Sequence, residues 1–189
     1  NVKKEDLFHD TYVYDSSQSK TMVKHFENIA TKLKKFKHGN VLEIGSNSGI
    51  FIKHFLHSST PVAVEPCSNF ATRTEGIGIK TYPNYWDSTL ANTIVKECGK
   101  QDLIYSANTI SHVHNLRDTL LAAKNTLKDD GVFVIECPSL LGVLKNHAFD
   151  MFYHEHQSYF SCIALKNILE SIGLRLFDIE KLPVHSGSY

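Results

Sequence analysis

The chain has 189 residues, 42% of them hydrophobic, and 20 Lys plus Arg offset 20 Asp plus Glu, so the net charge is zero with histidine neutral. That length supports one domain with a sizeable core, and the even charge excludes the basic footprint of a nucleic-acid binder or a polybasic membrane patch. Four scattered cysteines without CxxC spacing (Cys67, Cys98, Cys137, Cys162) argue against a zinc module or disulfide framework and fit a reducing, cytoplasmic setting, and no signal peptide or long apolar span appears.

Residues 1–19 carry Phe8, Tyr12, Val13 and Tyr14 ahead of the polar run Asp15 to Ser19. Their aromatics suit a flap over a site better than a disordered arm. Ser19 is placed to cap a helix in which Met22, Val23, Phe26, Ile29, Ala30 and Leu33 repeat with helical period. Lys32 to His38, with four lysines, reads as its solvated end, and Gly39-Asn40 stops it. Residues 1–38 are therefore expected to form a flap and lead-in helix, and residues 39–189 the core.

Val41 to Ile44 is a short apolar run, as in a buried parallel strand, with Glu43 near its exit. Gly45 and Gly49 bracket a tight turn, after which Ile50, Phe51, Phe55 and Leu56 predict a helix whose first amides are free. Strand, glycine turn and helix make a nucleotide-binding crossover, but the loop lacks the third glycine of the dinucleotide pattern. Glu43 instead offers a carboxylate to an ammonium group, such as that of S-adenosylmethionine (SAM). A second buried strand, Pro61 to Glu65, ends in another carboxylate about 20 residues further on, the spacing that lets an acid reach both ribose hydroxyls. A surface glutamate is the alternative for Glu65.

Beyond Glu65, a helix is expected to start at Ser68 to Thr74, followed by a short strand at Ile77 to Tyr82 and a helix at Leu90 to Cys98. Asp102 to Ser106 reads as the fourth strand, from whose end Ala107 to His114 leave toward a helix at Leu116 to Leu127. Asp129 to Gly131 is expected to turn into a strand from Val132 to Cys137, ended by Pro138. A helix at Ile163 to Ile172 closes at Gly173, and Leu174 to Ile179 is predicted to be the last strand. The alternation predicts an α/β fold with a Rossmann-like, doubly wound, mainly parallel sheet and a site along its C-terminal edge.

The second informative stretch, Tyr153-His-Glu-His156, crowds four titratable side chains together. A carboxylate beside an imidazole raises its basicity and fixes its tautomer, so the stretch is read as a base, His156, with Glu155 in support. A metal pair and solvated histidines are the alternatives, and the spacing converges poorly on a metal. One of His112 and His114 is expected in the pocket wall.

From these pieces the chain resembles the class I SAM-dependent methyltransferases, and among them the sugar C-methyltransferases that act on nucleotide-linked 4-keto-deoxyhexoses. The similarity rests on Tyr12 to Ser17, Val41 to Gly49, Val64 to Asn69, Ala107-Asn108 with His112, Tyr153 to His156 with Ser158 to Phe160, and His185 to Ser188. The resemblance implies that Glu43, Gly45, Ser46, Asn47 and Gly49 hold the methionine end of SAM and Glu65 the ribose. It places Pro66, Tyr85, Trp86 and Asn108 around adenine and sulfonium. It makes His156 the base, with Tyr153, Glu155 and His112 around a nucleotide sugar and Tyr12 or Tyr14 reaching in from the flap. S-adenosylhomocysteine would be the product. Members of that family also carry an N-terminal zinc module and a further C-terminal domain, which implies a core truncated at its C-terminal end. A small-molecule O- or N-methyltransferase, or a module that binds SAM without turnover, keeps the same cofactor site.

Overall fold

A computed structural model describes residues 2–189; Asn1, the first residue of the expected flap, lies outside the described residues. Helix α1 (Lys4–Leu7) and a 3-10 turn (Ser16–Gln18) precede α2 (Lys20–Leu33), capped by the Ser19 hydroxyl, which accepts the Met22 N–H at 3.3 Å. The core then alternates: β1 (Asn40–Ile44), β2 (Thr60–Val64), α3 (Ser68–Gly76), β3 (Lys80–Tyr82), α4 (Ser88–Cys98), β4 (Gln101–Ala107), α5 (Leu116–Thr126) and β5 (Leu127–Glu136). Helices α6 (Leu140–Lys145) and α7 (Cys162–Ser171) follow.

The five strands pair in parallel throughout the sheet, in the order β3-β2-β1-β4-β5. The order reverses between β1 and β4, which is where a doubly wound sheet opens a crevice at its C-terminal edge. Alternate residues supply the two faces. Val41, Leu103 and Tyr105 pack with Phe26, Ile29 and Leu33 of α2 and with Phe51 and Phe55. Leu42, Ile44 and Ile104 pack with Leu90 and Ile94 of α4 and Ala122 and Ala123 of α5. Glu43 falls on the α2 face, buried at the end of its strand.

Four local expectations are corrected. The helix expected after Gly49 is a single 3-10 turn (Ile52–Phe55), because the buried Glu43 carboxylate takes the Ile52 N–H at 3.1 Å in place of a helical partner. The third strand covers only Lys80–Tyr82; the preceding residues close α3, with Ile79 N–H donating to the Thr74 carbonyl at 3.4 Å. Asp129 to Gly131 is a bulge inside β5 rather than a turn before it: Gln101 pairs with Leu127 but Leu103 with Val132. The loop between is tied down by Lys128 Nζ on Asp102, at 2.9 Å. Leu174 to Ile179 forms no strand. Leu174 and Leu176 are half-buried while Phe177 and Ile179 are exposed, and Phe177 meets Phe36 edge-on with centroids 6.2 Å apart, but a strand also needs a main-chain partner, which periodicity cannot supply.

Candidate active site

A cavity of about 450 Å³ opens at the C-terminal edge of β1, β2 and β4. Such a volume suits a medium-sized organic ligand. Glu43, Gly45, Ser46, Asn47, Glu65, Pro66, Tyr85, Trp86, Asn108, His112, Tyr12 and Tyr14 all reach its wall, so most of the expected site converges there. Gly49, Tyr153, Glu155 and His156 do not line it.

The loop after β1 is built by left-handed backbone. Gly45 (φ 75°), Asn47 (φ 47°) and Gly49 (φ 70°) all lie in that region. A Cβ on Gly45 would run into the Thr109 hydroxyl, and one on Gly49 would sit 2.8 Å from Thr74 Oγ1. Only glycine meets both demands without strain. The amides of the glycine turn itself are spent within the protein. Gly45 and Ser46 donate to the Val64 carbonyl at 2.8 and 3.1 Å, and Asn47 N–H donates to Glu65 Oε2 at 2.7 Å. A phosphate needs open amides; these are spent on locking the loop to β2 and to Glu65.

Glu65 accepts a second amide, from Cys67, on Oε1 at 2.9 Å, which fixes the plane of its carboxylate and leaves each oxygen a further lone pair. Burial nevertheless raises its pKa, outweighing both amides. Glu43 is more extreme. Only 3% exposed, it has the Ile52 amide as its hydrogen-bond donor, and burial, with Glu65 adding, pushes its pKa well up. A buried carboxylate with so little compensation is costly unless a cation meets it. Two more wall groups, Ser46 Oγ and Asn108 Oδ1, are buried without a hydrogen-bond partner among the described residues.

The N-terminal segment closes the cavity from above. Asn47 turns its side chain to it: Oδ1 accepts Ser16 N–H at 3.1 Å and Oγ–H at 3.0 Å, while Nδ2 donates to the Tyr14 carbonyl at 2.8 Å. Asp15 accepts Arg73 Nη1 at 2.7 Å, and Tyr85 Oη donates to the Phe8 carbonyl at 2.6 Å. Trp86 Nε1 donates to the Thr119 carbonyl at 3.0 Å, fixing the indole as a wall. Phe8, Thr109 and Asp118 line the cavity too, and so does His114, so both His112 and His114 reach the wall where one was expected. The sequence singled out Phe8 only as a flap aromatic, and Asp118 reads as an ordinary first-turn acid of α5.

Tyr153 to His156 is a tight turn, closed by His156 N–H on the Tyr153 carbonyl at 3.1 Å. It packs against the wall residues Tyr12 and His112 without lining the cavity itself. Gln157 and Ser158 amides both donate to the Ser111 carbonyl, at 2.7 and 3.1 Å, and His112 Nδ1 bonds the Glu155 carbonyl at 3.0 Å. The His156 ring lies 4.9 Å from His112 and 4.2 Å from Tyr153, centroid to centroid. Its Nδ1 faces the Met151 carbonyl at 3.0 Å; a carbonyl only accepts, so the proton sits on Nδ1 and Nε2 keeps its lone pair.

The expected Glu155–His156 pairing is corrected. Glu155 directs Oε2 at the flap, accepting Tyr12 Oη–H at 3.3 Å. Burial pulls the His156 pKa below its usual range, with His185 adding, against the weaker pull of the Met151 carbonyl and Glu155. His112 drops to about 4, through burial first and His156 second. No cluster of three or more His, Cys, Asp or Glu side chains is arranged to hold a metal among the described residues, and no helix is long and apolar enough to cross a membrane.

A family model described as a methyltransferase domain matches residues 14–179. Among curated proteins, the chain is 30% identical over 193 residues to the C-methyltransferase NovU of Streptomyces niveus, covering 100% of this chain and 46% of that protein. The chain thus spans about half the length of that relative. Solved structures with the same fold include a SAM-dependent methyltransferase of Archaeoglobus fulgidus (TM-score 0.64, 20% identity, 83% of this chain and 72% of that one). Another is the magnesium protoporphyrin IX methyltransferase of Synechocystis with bound S-adenosylhomocysteine (TM-score 0.64, 11% identity, 88% and 80%). The wall described above fits a cofactor of that kind: an ammonium for Glu43, ribose hydroxyls for the spare lone pairs of Glu65, and no phosphate for the closed loop. The chain belongs to the methyltransferase domain family, with the Rossmann-like fold and the cofactor, SAM, of the class I enzymes.

Proposed function

We propose that the protein methylates carbon, on a substrate whose reacting C–H is acidified by a neighbouring ketone, and that a nucleotide-linked keto-deoxysugar is that substrate. The observation that carries this reading is His156, neutral with its Nε2 lone pair unspent, its ring beside Tyr153 and edge-on to the cavity-wall His112. An O- or N-methyl acceptor is already nucleophilic; a carbon acid needs a base placed within reach. The C-methyltransferase similarity supports the same chemistry.

In this reading residues 1–38 are a lid and lead-in helix on a core of residues 39–189. Glu43, with the Gly45 to Asn47 turn, receives the methionyl end, Glu65 the ribose, and Pro66, Tyr85 and Trp86 enclose the adenine, with Asn108 nearby; Gly49 shapes the loop from below. When bound, SAM supplies an electrophilic methyl group and departs as S-adenosylhomocysteine. His156 Nε2 takes the proton from the carbon beside the ketone. The electron pair of that C–H bond becomes the enolate, whose carbon forms the new bond to the methyl. Tyr153 donates to the enolate oxygen, a placement in which a preorganised donor contributes about 3 kcal/mol. Tyr12 and Tyr14 exclude water from above.

The test is methyl transfer from labelled SAM across keto-sugar nucleotides in the full-length protein, with substrate α-proton exchange followed in deuterated water. Exchange together with a new C–CH₃ bond is the expected result. Methylation of a hydroxyl or amine without exchange would replace this reading by the heteroatom one, and SAM binding with no transfer to any acceptor would leave only a binding module.

A further inference from the structure

We infer that His185 is a positioning residue for the cofactor wall, acting through Asn108. Its ring Nε2 lies 3.3 Å from Asn108 Nδ2. An amide nitrogen only donates, so the ring accepts, with its own proton on Nδ1. That spends the amide N–H and leaves Asn108 Oδ1, buried without a partner among the described residues, for a donor brought by the ligand. Asn108 is in the left-handed region (φ 55°), its N–H is fixed on the Glu136 carbonyl at 2.7 Å, and it lines the cavity.

The backbone that delivers His185 is unusual. His185 (φ 50°) and Ser186 (φ 58°) are successive non-glycine residues in left-handed conformation, followed by Gly187 (φ 107°). Such strain persists only where the surroundings over-determine it, and it gathers at functional positions. Here Asn146 Nδ2 holds the Ser186 carbonyl at 2.8 Å, Ser139 N–H holds the Gly187 carbonyl at 2.9 Å, and Ser188 Oγ returns to the Val184 carbonyl at 3.1 Å. Gly142 lets α6 approach so closely that a Cβ there would stand 3.1 Å from the Ser186 oxygen. The turn could close with Asn or Gly in place of the imidazole; the ring is explained by its reach to Asn108.

Protonating His185 turns its acceptor into a donor and sets it against the Asn108 amide. Its ring is faced by Glu136 of β5 and His25 of α2, while His156 of the 153–156 turn feels its charge. Burial is the largest influence and holds its pKa below the ordinary 6.5.

The inference rests on the proposed place of Asn108 beside the cofactor, and the test separates the two. S-adenosylhomocysteine binding is measured by calorimetry for the parent, Asn108→Ala, His185→Asn, His185→Gln and the double variant Asn108→Ala/His185→Asn. Asparagine tolerates left-handed backbone but cannot reach Asn108, whereas glutamine puts an acceptor near the Nε2 position. At pH 8, His185→Asn and Asn108→Ala each weaken binding about three- to tenfold, the double variant weakens it no further than either alone, and His185→Gln binds like the parent. Below pH 6.5 the parent loses affinity relative to His185→Gln, a difference in which the other titrating groups cancel. If His185→Asn binds like the parent while Asn108→Ala is weakened, or the two losses add, or the parent and His185→Gln never diverge, the inference is overturned and the site reading stands. If Asn108→Ala also binds like the parent, the placement of Asn108 beside the cofactor falls and the inference with it.

Discussion

Tyr12 and Glu155, 143 residues apart in the chain, meet through a hydrogen bond of 3.3 Å. The phenol belongs to the N-terminal segment, the lid of the proposed reading, and the carboxylate to the turn that carries His156. That bond ties the N-terminal segment to the turn, and Tyr12 also lies edge-on to Phe70 (centroids 6.5 Å apart) and, through its carbonyl, accepts Asn69 Nδ2 at 3.2 Å. Tyr12→Phe should therefore loosen the lid without touching the core. Amide exchange across residues 8–16 should quicken while the melting temperature changes by no more than about 2 °C, as a half-buried single bond warrants. Unchanged exchange would mean that the lid is held by Asn47, Arg73 and Tyr85 alone.

Glu43 couples binding to stability. Its folded pKa is raised by burial, so below that value the folded state holds a proton that the unfolded chain has released above 4.5, and stability falls as pH rises through the folded value. Glu43→Gln keeps an acceptor for the Ile52 amide but abolishes this titration. Without ligand, the variant should be more stable than the parent at pH 8, and the gap should close as pH falls. It should also bind S-adenosylhomocysteine about tenfold or more weakly, the cost of losing a charged acceptor. Urea titrations at several pH values check the first expectation and calorimetry the second; a variant less stable at pH 8 would mean that Glu43 is compensated in the apo protein.

Glu65 is the complementary case. Its two amide bonds shape the loop even without ligand, so Glu65→Ala should both lower the melting temperature and weaken S-adenosylhomocysteine by roughly 1–3 kcal/mol. Tighter binding of NAD than of S-adenosylhomocysteine by the parent would contradict the assignment of its ligand.

Much of this architecture was legible in the chain because it is local. Val41, Leu42 and Ile44 declare a buried strand, Glu43 interrupts it where a ligand must be met, and Met22 to Leu33 keep helical period. What escaped depends on contacts far apart in sequence. The carboxylate of Glu155 reads as a partner for the next residue, yet in a tight turn adjacent side chains diverge, and it finds Tyr12 instead. The His156 pKa follows burial by segments 111–112 and 151–159, which no spacing rule encodes. Leu174 to Ile179 alternates like a strand but lacks a ladder, and the helix after Gly49 lost its turn to one buried acid. The His25–Glu136–Tyr105 cluster, with Nε2 to carboxylate at 2.9 Å and Tyr105 Oη at 2.9 Å, was equally hidden, since its members read as helix surface and core strand.

The identity of the base is the sharpest remaining test, because the two candidates titrate differently. His156 lies below its ordinary 6.5 and His112 lies near 4, both lowered first by burial. Each acts as a base only when neutral, so the rate constant kcat/KM should be level above about pH 6.5 and fall on the acid side as the base gains its proton. A fall at a pH below 6.5 is expected for His156; a level profile continuing down toward pH 4 would point to His112. In the full-length protein His156→Ala should retain S-adenosylhomocysteine affinity, since its ring is not among the residues that line the cavity, while methyl transfer drops about 10²-fold or more. Exchange of the substrate's α-proton into deuterated water should fall in parallel, because one group performs that step. His112→Ala should differ in kind: this ring lines the cavity and braces the Glu155 carbonyl, so both affinity and rate should suffer. If His156→Ala exchanges at the parent's rate, His156 is not the base, and the His112 profile decides whether that role passes to the wall.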